Sequence, residues 1–278
     1  MPKFDTPEPI SVDLEFDVGS VRITASKRTD TVVEVLPGDG ADELDVRAAQ
    51  QISVTCTGGR LVVKGPGTHS PLGKSGSVEI AIELPAGSEV QAGTPLADFT
   101  CLGPLGGCRL ETSVGTIRVD EARTMYARTG YGDIRVGHVI GDAEIVAAGR
   151  IAIGTVTGAA TITNAAGEST IGEVGGDLRV SSSDGRIAIG VAHADVDATC
   201  ANGAIRIEEV ARGRVRLRTG TGNLEVGIRE STAARLDVWT RMGDVRNSLG
   251  PTGSPDASKQ TVEVRARTDL GHIVIHRA

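Results

Sequence analysis

Apolar residues alternate with polar ones in short runs throughout the chain, and the runs recur. GRIAIG appears at 149–154 and again at 185–190. The unit beneath it is glycine followed by x-apolar-x-apolar, as in GTIRV at 115, GDIRV at 132, GAIRI at 203 and GNLEV at 222, with GDVRN at 243, which ends in Asn247, and GHIVI at 271 as late copies. With GESTI at 167 included, the glycines step along by 17, 17, 18, 18, 18, 19, 21 and 28 residues. Alternation over so few residues predicts a strand with one buried face. A second alternating pair precedes each glycine, as in Leu178 and Val180, Val196 and Ala198, Val215 and Leu217, and Leu236 and Val238. A third apolar position follows it: Val139, Val156, Val174, Ala192, Val210 and Ile228. Three apolar positions per turn, divided by glycine corners, predict a three-sided parallel β-solenoid of about 18 residues per turn. No segment leaves room for crossover helices, so a βαβ architecture is excluded.

Stacked turns place equivalent residues one strand spacing apart. The residues after successive glycines, Asp133, Arg150, Glu168 and Arg186, alternate in sign. So do the outward residues of the preceding strand: Arg179, Asp197, Arg216 and Asp237. Opposite charges on neighbouring strands attract, so the columns support the period independently. They also bear on catalysis. Asp197 and Asp237 are expected two rungs apart, about 9.6 Å, near the upper limit for the carboxylates of an inverting glycosidase. Arg216 between them would hold both acids ionised, which opposes general-acid work.

Residues 1–108 follow another plan, that of a β-rich module. PISVDLEF alternates Ile10, Val12, Leu14 and Phe16; ADELDVRAAQ at 41–50 reads as a short helix; ISVTCTGGRLVVKG reads as a hairpin turning at Gly58 and Gly59. A Gly/Pro/Ser loop at 65–76 precedes SVEIAIELPAGSEV. This module is expected to cap the coil, which occupies 109–278. A polar loop at 247–260 interrupts the coil, and the strands after it are expected to form the final turn, where Arg265, Arg267 and Arg277 blunt the exposed edge. Trp239 is the single tryptophan and falls on the outward phase beside Val238. Trp239, Arg265 and Arg267 are therefore the candidate partner contacts, the competing reading being that the loop folds over Trp239 as a lid.

Aromatic residues make up only 2% of the chain while glycine numbers 37, which suits a narrow interior filled by Val, Ile, Leu and Ala. The net charge of −7 opposes a general nucleic-acid binder. No apolar run is long enough to span a membrane. MPKFDTPEPI lacks the pattern of a secretory signal, so a cytoplasmic location with free thiols at Cys56, Cys101, Cys108 and Cys200 is expected. Cys101 and Cys108 have no histidine near them, a poor match to zinc spacing. His272 and His276 share one side of the last strand, where solvent contact is the simpler reading. Neither a nucleophile elbow nor a phosphate-binding glycine loop is present, and no metal or cofactor is expected.

The opening PEPISVDLEFDVGSVRITAS, the segment IELPAGSEV and the serial Gly-x-Ile-Arg-Val units resemble the β-strand-repeat proteins of actinobacteria labelled "putative adhesin", relatives of autotransporter-adhesin head domains. The resemblance implies a right-handed, single-stranded parallel β-helix. The family has no established catalytic residues, so it implies none here. The resulting expectation is a non-enzymatic scaffold or adhesin-like module that binds a protein or glycan partner through the solenoid faces. The alternatives are a filament assembled through the solenoid ends and, third, a carbohydrate-active enzyme.

Overall fold

The computed structural model describes residues 1–65, 75–250 and 260–278. Parallel strands dominate, and the helix Glu43–Gln51 is the one helix among the described residues. The chain is a parallel β-solenoid. Two compact units divide it, Met1–Ile140 and Gly141–Ala278.

In the second unit, the column Ala143, Ala160, Leu178, Val196 and Val215 runs up one side of the coil, each residue in register with the next. Ile151, Ser169, Ile187, Ile205 and Leu224 form a second column. The two copies of GRIAIG thus occupy the same place two rungs apart, with Ser169–Val174 between them. Strand Ile187–Ala192 breaks its alternation at Gly190 and Val191, which are both part-exposed, and Ala192 joins the third column with Val174 and Val210. All three columns are buried. Aliphatic burial at roughly 25 cal/mol per Å² is the main stabilising term of such a coil. The interior nevertheless admits a ring, since Phe99 of the first unit, in register with Ile117, is buried.

The expected order of the last turns is overturned. Strand Gly213–Thr221 pairs not with the next strand in sequence but with Thr261–Leu270, which in turn pairs with Ala233–Met242. The following strands repeat the exchange: Leu224–Ile228 pairs with Ile273–Arg277, and that strand with Val245–Asn247. The segment 261–277 is therefore the penultimate rung, and 233–247 is the outer one. The corner glycines agree. A Cβ on Gly271 would lie 2.0 Å from the carbonyl oxygen of Gly222, and one on Gly243 would lie 2.1 Å from that of Gly271. Arg265, Arg267 and Arg277 consequently do not blunt an edge, because their strands are covered on both sides. Of the loop expected at 247–260, residues 251–259 lie outside the described residues, as do residues 66–74 of the 65–76 loop.

A similar exchange occurs in the first unit. Ser11–Glu15 lies between Arg60–Lys64 and the strand beginning at Glu89, and Val18–Ser26 lies between Val78–Pro85 and that same strand. The outer pieces there are covered by antiparallel partners. Ser53–Thr57 closes a hairpin on Arg60–Lys64, and Asp30–Pro37 lies along Val78–Pro85. Gly58 and Gly59 carry φ of 57° and 75°, left-handed values that suit a tight two-residue hairpin turn. Asp42 caps the helix Glu43–Gln51, its carboxylate accepting from the Leu44 amide at 2.7 Å.

Candidate binding face

The outward residues of three neighbouring strands build one surface. Along Gly213–Thr221 they are Arg214, Arg216 and Arg218; along Thr261–Leu270, Glu263, Arg265 and Arg267; along Ala233–Met242, Arg235, Asp237 and Trp239. Alternation puts these side chains on the face opposite Val215 and Leu217, Val264 and Ala266, which are buried. Register then sets Arg216 against Arg265, and Arg218 against Arg267. Four guanidinium groups form a two-by-two block.

Here the sign alternation fails. Arg179, Asp197 and Arg216 alternate across their rungs, but the inserted strand places Arg265 between Arg216 and Asp237. Like charges directly opposite each other on adjacent strands are destabilising. Asp237 answers part of the excess, since Arg267 Nη2 donates to both of its carboxylate oxygens at 2.7 and 2.8 Å. Arg265 bonds Glu263 on its own strand at 2.8 and 3.0 Å. Neither Arg216 nor Arg218 forms an ion pair among the described residues. A chain of net charge −7 thus presents a locally cationic face.

Trp239 borders this block. It is the register partner of Arg267 and is 47% exposed. A hollow of about 450 Å³ lies beside it, lined by Arg218, Thr219, Trp239, Arg267, Thr268 and Asp269. The three sequence candidates, Trp239, Arg265 and Arg267, therefore share one face on two paired strands. The lid reading concerns residues outside those described.

Asp197 and Asp237 are three rungs apart instead of two, about 14 Å at the strand spacing of a sheet. That exceeds the range for paired glycosidase carboxylates. Arg229 Nε bonds Glu209 at 2.6 Å. His272 and His276 turn to different carboxylates: the His272 ring lies 3.5 Å from Asp244 and accepts the Asp244 amide, while His276 lies 3.3 Å from Glu225.

One set of residues escaped the sequence reading. Three positions before most corner glycines stands a small polar residue that is buried or partly buried and points inward. Thr129, Asn164, Cys200, Thr219, Thr268 and Thr240 donate to the carbonyl oxygens of Gly115, Gly149, Gly185, Gly203, Gly222 and Gly271. Each thereby ties its corner to the rung beneath. The signal was present as Thr, Asn or Cys at a fixed offset from glycine, but it is invisible to a search for apolar alternation.

No helix among the described residues is long and apolar enough to cross a membrane. No family model matches the chain, and no curated protein does. Solved structures that are similar include a protein titled a putative cell adhesion protein from Clostridium sporogenes, 14% identical over all of this chain and 98% of that one, with a TM-score of 0.23. A putative adhesin from Bacteroides fragilis is 12% identical over 99% of this chain and 95% of that one, TM-score 0.36. A putative adhesin from Parabacteroides merdae is 12% identical over all of this chain and 95% of that one, TM-score 0.34.

Proposed function

We propose that the chain is a non-enzymatic, adhesin-like binding module that holds an acidic polysaccharide on the face formed by strands 213–221, 261–270 and 233–242. The observation that carries the reading is the block of Arg216, Arg218, Arg265 and Arg267 beside the exposed ring of Trp239. Planar guanidinium groups bind carboxylates in a bidentate manner and give up hydration more readily than ammonium groups. An exposed indole offers a flat apolar surface for a sugar ring. A flat, shallow face with charges at strand spacing suits an extended polymer better than a small molecule, which prefers an enclosed pocket.

The test is binding of the purified chain to immobilised polygalacturonate, with neutral dextran as control. Saturable binding that weakens with added salt is expected. Arg216→Glu with Arg218→Glu reduces it at least tenfold, and Trp239→Ala weakens it further. Failure to bind at low salt, or equal binding by the arginine variant, overturns the reading. A reducing-end assay on the same polymer checks the non-enzymatic part. New reducing ends that vanish with both Asp197→Asn and Asp237→Asn would make the protein a glycan-cleaving enzyme.

A further inference from the structure

We infer that the outer edge of strand Ala233–Met242 is an interface for a second copy of this chain, joined antiparallel about a two-fold axis at Leu236. The inference is independent of the polysaccharide reading, because it rests on the strand's edge and not on the block of Arg216, Arg218, Arg265 and Arg267.

The edge is unfilled. The Ala233 amide donates to the Gln260 carbonyl at 2.9 Å, so Ala233, Arg235, Asp237 and Trp239 direct their peptide groups toward the inserted rung. Backbone direction alternates along a strand, which turns the peptide groups of Ala234, Leu236, Val238 and Thr240 the other way. No strand among the described residues receives them. The outer strands of the first unit, by contrast, carry antiparallel partners. An uncovered edge of this kind is a template for adding another strand.

The row that should continue the core is also incompletely covered. Leu236 and Val238 are only half-buried, although their counterparts Val264 and Ala266 one rung in are fully buried. Val245 and Met242 on the same rung are 43% and 68% exposed.

Charge selects both the occupant and the register. Two copies meeting antiparallel pair residues whose numbers have a fixed sum, and the peptide groups facing the edge restrict the possible centres. Centring on Leu236 sets Arg235 opposite Asp237 of the second copy, twice by symmetry. It also stacks Leu236 on its own equivalent and Val238 on Ala234. Centring on Asp237 would oppose two carboxylates, and centring on Val238 would oppose Arg235 and Arg241. Only the Leu236 register matches opposite charges and extends the apolar row. Such a contact uses the same patch on both copies, so it closes at two and does not propagate into a filament.

Light scattering on a size-exclusion column across a wide concentration range tests this. The mass is expected to rise from 28.7 kDa to twice that value and stop. Leu236→Pro removes an edge-facing amide and leaves the bonds to the inserted rung untouched, so that variant is expected to stay monomeric at every concentration. The register has its own readout. In a Cys56→Ser background, Leu236→Cys is expected to form an intermolecular disulfide under mild oxidation, because directly opposite Cα atoms lie about 5.5 Å apart. Val238→Cys, which faces Ala234, is not. A mass constant at 28.7 kDa, a mass that grows past the dimer, or cross-linking at position 238 in place of 236 overturns the inference.

Discussion

Thr240 donates its hydroxyl to the carbonyl oxygen of Gly271, 2.9 Å away and 31 residues later in the chain. Strand Thr261–Leu270 lies directly beneath Ala233–Met242, and the bond marks the point where the outer rung rests on the inserted one. The outer rung has no strand partner among the described residues other than 261–277. Deleting residues 261–278 is therefore expected to release 233–247 as well. Hydrogen exchange checks this: amides of 233–242 lose their protection in the truncated chain, while those of 196–202 keep it. Retained protection across 233–242 would mean that the outer rung can dock directly on 213–228.

The column of inward polar residues yields a second expectation. Thr219 is buried and donates to the Gly203 carbonyl at 2.9 Å. Thr219→Val preserves shape but removes the donor, which costs about 1–3 kcal/mol for a buried group left unsatisfied. Thr219→Ser keeps the hydroxyl and is expected to lose less than the valine variant. Urea denaturation of the three proteins ranks them, and a valine variant as stable as the parent would show that the Gly203 carbonyl is satisfied without Thr219.

The coil was legible in the sequence because each rung writes the same three apolar columns and the same corner glycine. That regularity also hid the rung order. Gly271 fits over Gly222 as well as Gly243 would, since both follow a threonine by three residues and are followed two residues on by an apolar one, Ile273 and Val245. Columns fix which residues face inward but do not specify which rung lies above which. The irregular glycine steps of 21 and 28 were the only hint. For the same reason the outward phase of Trp239 followed from alternation alone, while its pairing with Arg267 needed the rung order. The arginine block is likewise a product of the exchange, because Arg265 and Arg267 come from a strand distant in sequence from Arg216 and Arg218.

Asp30 provides an acid-side test in the first unit. Arg28 Nε donates to its carboxylate at 2.8 Å and Lys3 Nζ lies 2.9 Å away. These bonds, the Arg28 one foremost, lower its pKa to about 2. An unfolded aspartate titrates near 3.9. The folded value is depressed, so the stabilisation is complete above about pH 4 and is lost as pH falls toward 2. Asp30→Asn is expected to be less stable than the parent at neutral pH and to show a flatter stability profile between pH 4 and 2. Parallel profiles for the two proteins over that interval would remove Asp30 from the acid response.

The interior thiols provide the base-side test. Cys101 and Cys108 are 1% and 3% exposed, and all four cysteines are free. A hydrogen bond in which the Cys101 thiol donates to the Cys108 sulfur, together with burial, favours the neutral form and pushes the Cys101 thiol well above its ordinary range. Burial also raises Cys56 and Cys200. The thiolate is the reactive form, so both closure and pKa slow attack on the buried pair. Ellman's reagent at pH 8 is expected to titrate Cys56 first in the native protein, and all 4 thiols only after unfolding. The same shift sets a sign for stability. A folded thiol pKa above the unfolded value of about 8.5 means that the unfolded chain loses its protons first. The contribution is intact below that pH and declines as pH rises beyond it. Replacing Cys101 with Ala leaves a small cavity but removes a titrating group, so the variant starts less stable at pH 7 and loses less on the way to pH 10. Equal slopes for parent and variant in thermal melts over that range would show that Cys101 does not govern the alkaline limb.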